Sequence, residues 1–291
     1  MKSRALYSPE PHRGWLPWGA LAPFLGFVFV IGPLLPISFG IERLGLYDTE
    51  GPVGFLGMAA FTLTAFTAVG LVALGWVHFV ERRPLATIGF TRPGGFVKFV
   101  RGHLIGCASI VAVLIAAWLA GGYVATAYAP AWRSANSLLS IATLLLCFAI
   151  QGSVEEIVFR GWMLSAIARK FNVAWGVGLS SLIFVGLHLN FSLNWLDILN
   201  LVLFSLFACA WAIKKNSIWG IMGWHAGWNW LLATGFQLPV TGMDLNLPAL
   251  LVALTPQGSV YLTGGHQGPE GSIACTVVFA AGILYLLRRA D

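Results

Sequence analysis

Charge is what this sequence has least of. Acidic and basic residues make up 10% of the 291-residue chain, against roughly 25% in a soluble globular protein. Eleven acids and 17 bases cannot solvate the surface of a soluble enzyme of this length, and that class is excluded. A hydrophobic fraction of 58% excludes a disordered chain as well. Cysteine is scarce: Cys107, Cys147, Cys209 and Cys275 lie in apolar runs with no CxxC pair, which excludes a disulfide framework and a zinc ribbon. No HExxH run occurs, no serine or cysteine sits beside a base in a nucleophile motif, and no fixed-period repeat or low-complexity tract interrupts the chain. The net charge of +6 would point to nucleic acid in a soluble protein. Here the bases are scattered over short connectors instead of forming a stripe, so no nucleic-acid partner is expected. A polytopic membrane protein remains.

Eight apolar runs are long enough to read as membrane helices, at roughly 16–39, 53–80, 103–128, 138–168, 173–190, 196–213, 217–237 and 271–287. The fold class expected is all-α: one transmembrane helix bundle over residues 1–291, with a catalytic-type core at about 138–237. Pro23, Pro33 and Pro36 predict a kinked or broken first helix. The bases Arg82, Arg83, Arg101, Arg169, Lys170, Lys214 and Lys215 fall on alternate connectors, whereas the other side receives only Arg43 and Arg133. The positive-inside rule then places both termini in the cytoplasm. Phe96, Val97, Phe99 and Val100 suggest a surface-lying piece before the third helix, and Leu247–Leu254 is apolar enough to dip into the interface. Short connectors without a large soluble domain suit a bacterial inner membrane.

Ionisable groups inside a membrane helix cost about 3 kcal/mol each near the bilayer centre, so they mark function. The fourth run carries Glu155, Glu156 and Arg160. Glu156 and Arg160, spaced i, i+4 with the acid first, read as an ion pair supporting a site. Glu155 points about 100° away around the helix and has no intrahelical partner by that reading. It lies 16 residues before Phe171, and His188 lies 17 after it. Antiparallel helices with a tight turn there bring the two to one depth. The seventh run supplies His225 and Asn229 on one face, beside Gly223 and Gly227, which allow a neighbouring helix to approach. Trp224, Trp228 and Trp230 read as interfacial anchors. His225 is only about ten residues from Lys214 and Lys215, shallower than Glu155 unless helices four and five protrude beyond the others.

A desolvated carboxylate can deprotonate water and return the proton to a leaving amine. His188 can orient that water, and His225 and Asn229 are donors suited to an oxyanion. Two other readings stay open. Glu155, His188 and His225 could ligate a catalytic zinc, or the polar cluster could serve a non-catalytic immunity factor, scaffold or transporter.

The pattern Glu155-Glu156-x-x-x-Arg160, Phe184-x-x-x-His188 and His225-x-x-x-Asn229 resembles the three ordered motifs of the CAAX protease and bacteriocin-processing (CPBP, or ABI) membrane proteins. The resemblance spans about residues 81–237 and extends toward Thr263-Gly264-Gly265 and Gly268-Pro269-Glu270-Gly271. It implies an intramembrane glutamic endopeptidase without cofactor, acting on a membrane-associated peptide or protein in the bilayer. Glu155 and His188 would activate water, His225 and Asn229 would bind the oxyanion, and Glu156 and Arg160 would support them.

Overall fold

The computed structural model describes residues 6–46, 54–91, 93–190 and 192–288. Eight long helices follow the eight apolar runs: α1 (Ala22–Arg43), α2 (Gly54–Val80), α3 (Gly95–Leu119), α4 (Ala135–Lys170), α5 (Val173–His188), α6 (Trp195–Lys215), α7 (Trp219–Gly235) and α8 (Ile273–Arg288). The chain is a multi-pass integral membrane protein, but its described residues provide six helices long and apolar enough to cross a bilayer, not eight. The two that fall short are α5, with 16 residues, and α7, with 17; α8, itself 16 residues, reaches spanning length together with the 3-10 turns that lead into it, as Gly265–Arg288. At 1.5 Å per residue α5 rises about 24 Å, less than a hydrocarbon core of about 30 Å. These two helices carry His188, His225 and Asn229. A short helix ends inside the apolar layer, where polar groups are tolerated only if they line a cavity or pair within the protein.

Other expectations are corrected. The first helix is not broken: Pro23 sits in its first turn, while Pro33 and Pro36 lie inside a continuous helix. Phe96–Val100 is no separate surface piece, because α3 begins at Gly95 and runs through it. Residues 123–128, assigned to the end of the third helix, form strand β1 (Tyr123–Tyr128), and the stretch expected to dip into the interface contributes to strand β2 (Val252–Pro256). The strands pair antiparallel from Tyr123↔Pro256 to Tyr128↔Val252, with a bulge between Ala125 and Ala127. Two short segments outside the helical layer, each with β-branched residues and β1 with two tyrosines, satisfy their backbone groups with each other.

The basic connectors gather at one end. There Arg13, Gly14 and Trp15 donate backbone hydrogen bonds to Arg82, Glu81 and Val80, and Ile218 donates to Gly89. Arg169 reaches the carbonyls of Ser8 and Glu10 at 2.7 and 3.1 Å. Arg83 is not a solvated charge: it is buried against Glu81 and Ser165, and Glu81 also accepts from the indoles of Trp76 and Trp162. The β1–β2 ribbon, residues 189–190 and 192–194, and the connector 236–272 occupy the opposite end.

The depth problem posed by His225 is resolved here. A Cβ on Gly161 would lie 2.9 Å from the Ile88 carbonyl and 3.3 Å from Ile218 Cδ1. The start of α7 is therefore level with Gly161, not with the α4–α5 turn at Phe171. Nine residues of α4 continue past that level, about 13 Å of helix, wrapped by the N-terminal segment and residues 81–91. Counting six residues back from Gly161 reaches Glu155, and seven forward from Ile218 reaches His225.

The approach of α3 to α7 is as close as helices permit. A Cβ on Gly106 would lie 2.1 Å from the Trp224 carbonyl, and one on Gly227 2.2 Å from that of His103. Only glycine allows such backbone contact. The α7 tryptophans are not interfacial anchors: Trp224 and Trp228 are 1% and 2% exposed and stack at 4.9 Å, while Trp230 is half-buried.

Candidate active site

Four helices converge on the polar cluster. Near the middle of α4 the winding changes from α to π over Ile157–Met163, directly after Glu156. A π segment widens the helix and frees backbone carbonyls, a feature often found at functional sites. The freed Arg160 carbonyl accepts the Tyr7 hydroxyl at 2.7 Å. Burial holds the Tyr7 phenol well above its usual pKa, so it stays a neutral donor.

Glu156 and Arg160 are fully buried and 3.3 Å apart, the i, i+4 pair expected. Arg160 also donates to Ser205 Oγ at 3.0 Å, and its guanidinium lies 4.3 Å from the Phe184 ring centre. Glu156 has a second contact that spacing did not reveal: its Oε1 is 2.9 Å from His225 Nδ1. An ionised carboxylate only accepts, so Nδ1 carries the proton and Nε2 faces away. His188 is held the same way, with Nδ1 donating to the Phe184 carbonyl at 2.8 Å.

Both Nε2 atoms face Glu155. Its Oε2 is buried, has no hydrogen-bond partner among the described residues, and lies 4.0 Å from His188 Nε2 and 3.9 Å from His225 Nε2. Those separations are too long for direct hydrogen bonds and short enough for one water to touch the carboxylate and an imidazole. The other oxygen corrects the sequence reading, in which Glu155 had no intrahelical partner. Gln151, one turn earlier, donates its amide to Glu155 Oε1 at 2.5 Å. Asn229 in turn donates to Gln151 Oε1 at 2.9 Å. Gln151 thus joins two of the predicted residues. Its i−4 position before Glu155 was the available signal, but an uncharged amide in an apolar helix does not attract notice.

Two cavities meet at Glu155 and His188. One, of about 70 Å³, is bordered by Gln151, Glu155, His188, His225 and Asn229 and continues toward Asp197 and Glu270. That volume holds a few water molecules among polar partners. The other, of about 170 Å³, is apolar and lies between α1, α2, α4 and α5, with Val30, Leu34, Phe66, Val158 and Leu187 in its walls. Among the described residues no group of three His, Cys, Asp or Glu side chains is disposed to hold a metal ion.

Comparison with known proteins gives one family match, over about a third of the chain. Residues 136–231 match the family model described as type II CAAX prenyl endopeptidase Rce1-like. This is the CAAX protease family read from the three motifs, and it is a family of peptidases. The matched segment contains Gln151, Glu155, Glu156, Arg160, His188, His225 and Asn229. No curated protein and no solved structure matches the chain.

Proposed function

We propose that this chain is an intramembrane glutamic endopeptidase that hydrolyses a peptide bond of a membrane-associated protein or peptide. The observation that carries the reading is Glu155 Oε2, buried without a hydrogen-bond partner among the described residues, with the Nε2 atoms of two imidazoles about 4 Å away. With Nδ1 of His188 engaged by a backbone carbonyl, its Nε2 and Glu155 Oε2 are acceptors for the two protons of one water. Glu155 takes a proton as the water oxygen bonds to the scissile carbonyl carbon, and returns it to the amine as the C–N bond breaks. General base catalysis of this kind contributes about 10²–10⁴ in rate.

The tetrahedral intermediate carries an oxyanion. His225 Nε2 donates to it when the ring holds its second proton, a charge balanced by Glu156 at Nδ1. Asn229 uses one amide hydrogen on Gln151 and has another for the oxyanion. Each such donor is worth about 10²–10³ in rate. Arg160, one turn along, holds Glu156 in place. No step requires a cofactor. The apolar cavity beside Glu155 and His188 suits apolar side chains of a substrate arriving from the bilayer. The basic connectors are assigned to the cytoplasm of a bacterial cell membrane on the positive-inside rule.

The test compares purified wild-type protein with the Glu155→Gln variant by mass spectrometry of peptide termini generated from membrane extracts. New termini should appear with wild type alone while both proteins show the same thermal unfolding; turnover retained by Glu155→Gln rejects the proposal.

A further inference from the structure

The polar cavity does not stop at the imidazoles. It extends to the exposed Thr241, at the end of the bundle opposite the basic connectors. Two more carboxylates line that outer stretch, and no lysine or arginine does. Asp197 is 5% exposed. Its Oδ2 accepts the Asn194 backbone N–H at 2.8 Å and completes a capping box on α6, but its Oδ1 has no hydrogen-bond partner among the described residues. A Cβ on Gly271 would come within 2.2 Å of that oxygen, so glycine is what leaves the carboxylate its space. Glu270 is fixed on the same cavity by Trp228 Nε1 at 2.8 Å and by the Thr241 N–H and hydroxyl at 2.6 and 3.0 Å.

A buried carboxylate oxygen without a partner is costly, and helix capping requires only the other oxygen. We propose that Asp197 and Glu270 form a subsite for an organic cation, the primary ammonium or guanidinium of a peptide whose scissile bond lies at Glu155. That the ligand is a peptide rests on the endopeptidase reading above. The chemistry favours an ammonium-type group over a bare divalent ion. Ca²⁺ takes six to eight oxygens in general, whereas an ammonium with three N–H donors is satisfied by a few acceptors. Glu270 retains one acceptor position, on Oε1, since each carboxylate oxygen can accept twice and Oε2 already takes both Thr241 donors. The cation can come from a lysine or arginine side chain or from a free amino terminus.

Three nonapeptides separate these sources: an acetylated, amidated alanine-rich peptide with a central lysine, the same peptide with norleucine, and the norleucine peptide with a free amino terminus. Their binding is titrated calorimetrically against full-length Glu155→Gln protein, which does not turn them over. The lysine or the free-amine peptide should bind at least tenfold tighter than the acetylated norleucine peptide, and which of the two gains identifies the source. Adding Asp197→Asn should reduce that ratio to near one, and adding Glu270→Gln should lower it severalfold. Equal binding by all three peptides, no binding by any, or a preference that survives both substitutions overturns the subsite. Affinity for the norleucine peptide reports whether Asp197→Asn still folds; if it is lost, Glu270→Gln decides. The two readings fail separately. Cleavage by Glu155→Gln would reject the hydrolytic mechanism with the cation preference still measurable, and absent preference with cleavage abolished would reject the subsite alone.

Discussion

Glu156 Oε1 lies 2.9 Å from His225 Nδ1 and 3.3 Å from Arg160 Nη1. One buried carboxylate oxygen thus fixes an imidazole on α7 and a guanidinium one turn along α4. Removing Glu156 or Arg160 leaves an uncompensated charge, which generally costs about 3–5 kcal/mol when fully buried. Arg160→Met should destabilise the protein by roughly that amount in thermal unfolding. The double variant Glu156→Gln/Arg160→Met should recover much of the stability. It should not recover turnover, because His225 would lose the charge that balances its second proton.

Gln151 touches Glu155 and Asn229. It acts through both, as a positioning residue. Gln151→Leu should lower kcat by about 10–100-fold, in keeping with misplaced catalytic groups, with little change in KM. Combined with Asn229→Ala the loss should fall short of the product of the two, because the residues share one network. Strict additivity would show that Gln151 acts elsewhere.

The α3–α7 contact tolerates no side chain. Gly106→Ala and Gly227→Ala should each cost about 1–3 kcal/mol by forcing the backbones apart, and should reduce turnover by displacing His225 and Asn229. Gly32→Ala is the control, since nothing lies within 4 Å of a Cβ there. Its unfolding temperature should match or slightly exceed that of wild type.

Tyr7 closes the carbonyl freed by the π segment. Tyr7→Phe leaves that group unpaired and should cost about 1–3 kcal/mol. Because burial raises the phenol pKa, the neutral form is favoured in the folded state. Its contribution is complete below the unfolded value, about pH 10, and is lost as pH rises beyond it. The stability of wild type should therefore fall more steeply than that of Tyr7→Phe in alkali, and equal slopes would count against this assignment.

Much of the fold was legible because lipid imposes so strong a rule on sequence. A helix in hydrocarbon must be apolar along its length, so each of the eight runs overlies a helix, although the third run, at 103–128, is displaced by eight or nine residues at its ends. The cost of intramembrane charge likewise singled out Glu155, Glu156, Arg160 and His188. Asp197 and Glu270 escaped this reading because an acid near a helix end or in a connector looks solvated. Asp197 is buried only because Gly271, 74 positions away, folds over it. The strands escaped because β1 continues an apolar run without a charge to stop it.

Composition and spacing alone determined that the chain lives in a bilayer, where its helices run, and which side chains are too costly there to be accidental. Those are one-dimensional consequences of solvation. Tertiary structure decided the rest: that α4 and α5 extend past the start of α7 so that Glu155 and His225 share a depth, that Glu156 serves His225 as well as Arg160, and that two cavities meet at one carboxylate. Depth and facing depend on how helices slide and rotate against one another. That is set by backbone contacts such as Gly106 against Trp224: glycines mark where a helix can approach, but not which helix comes or at what offset.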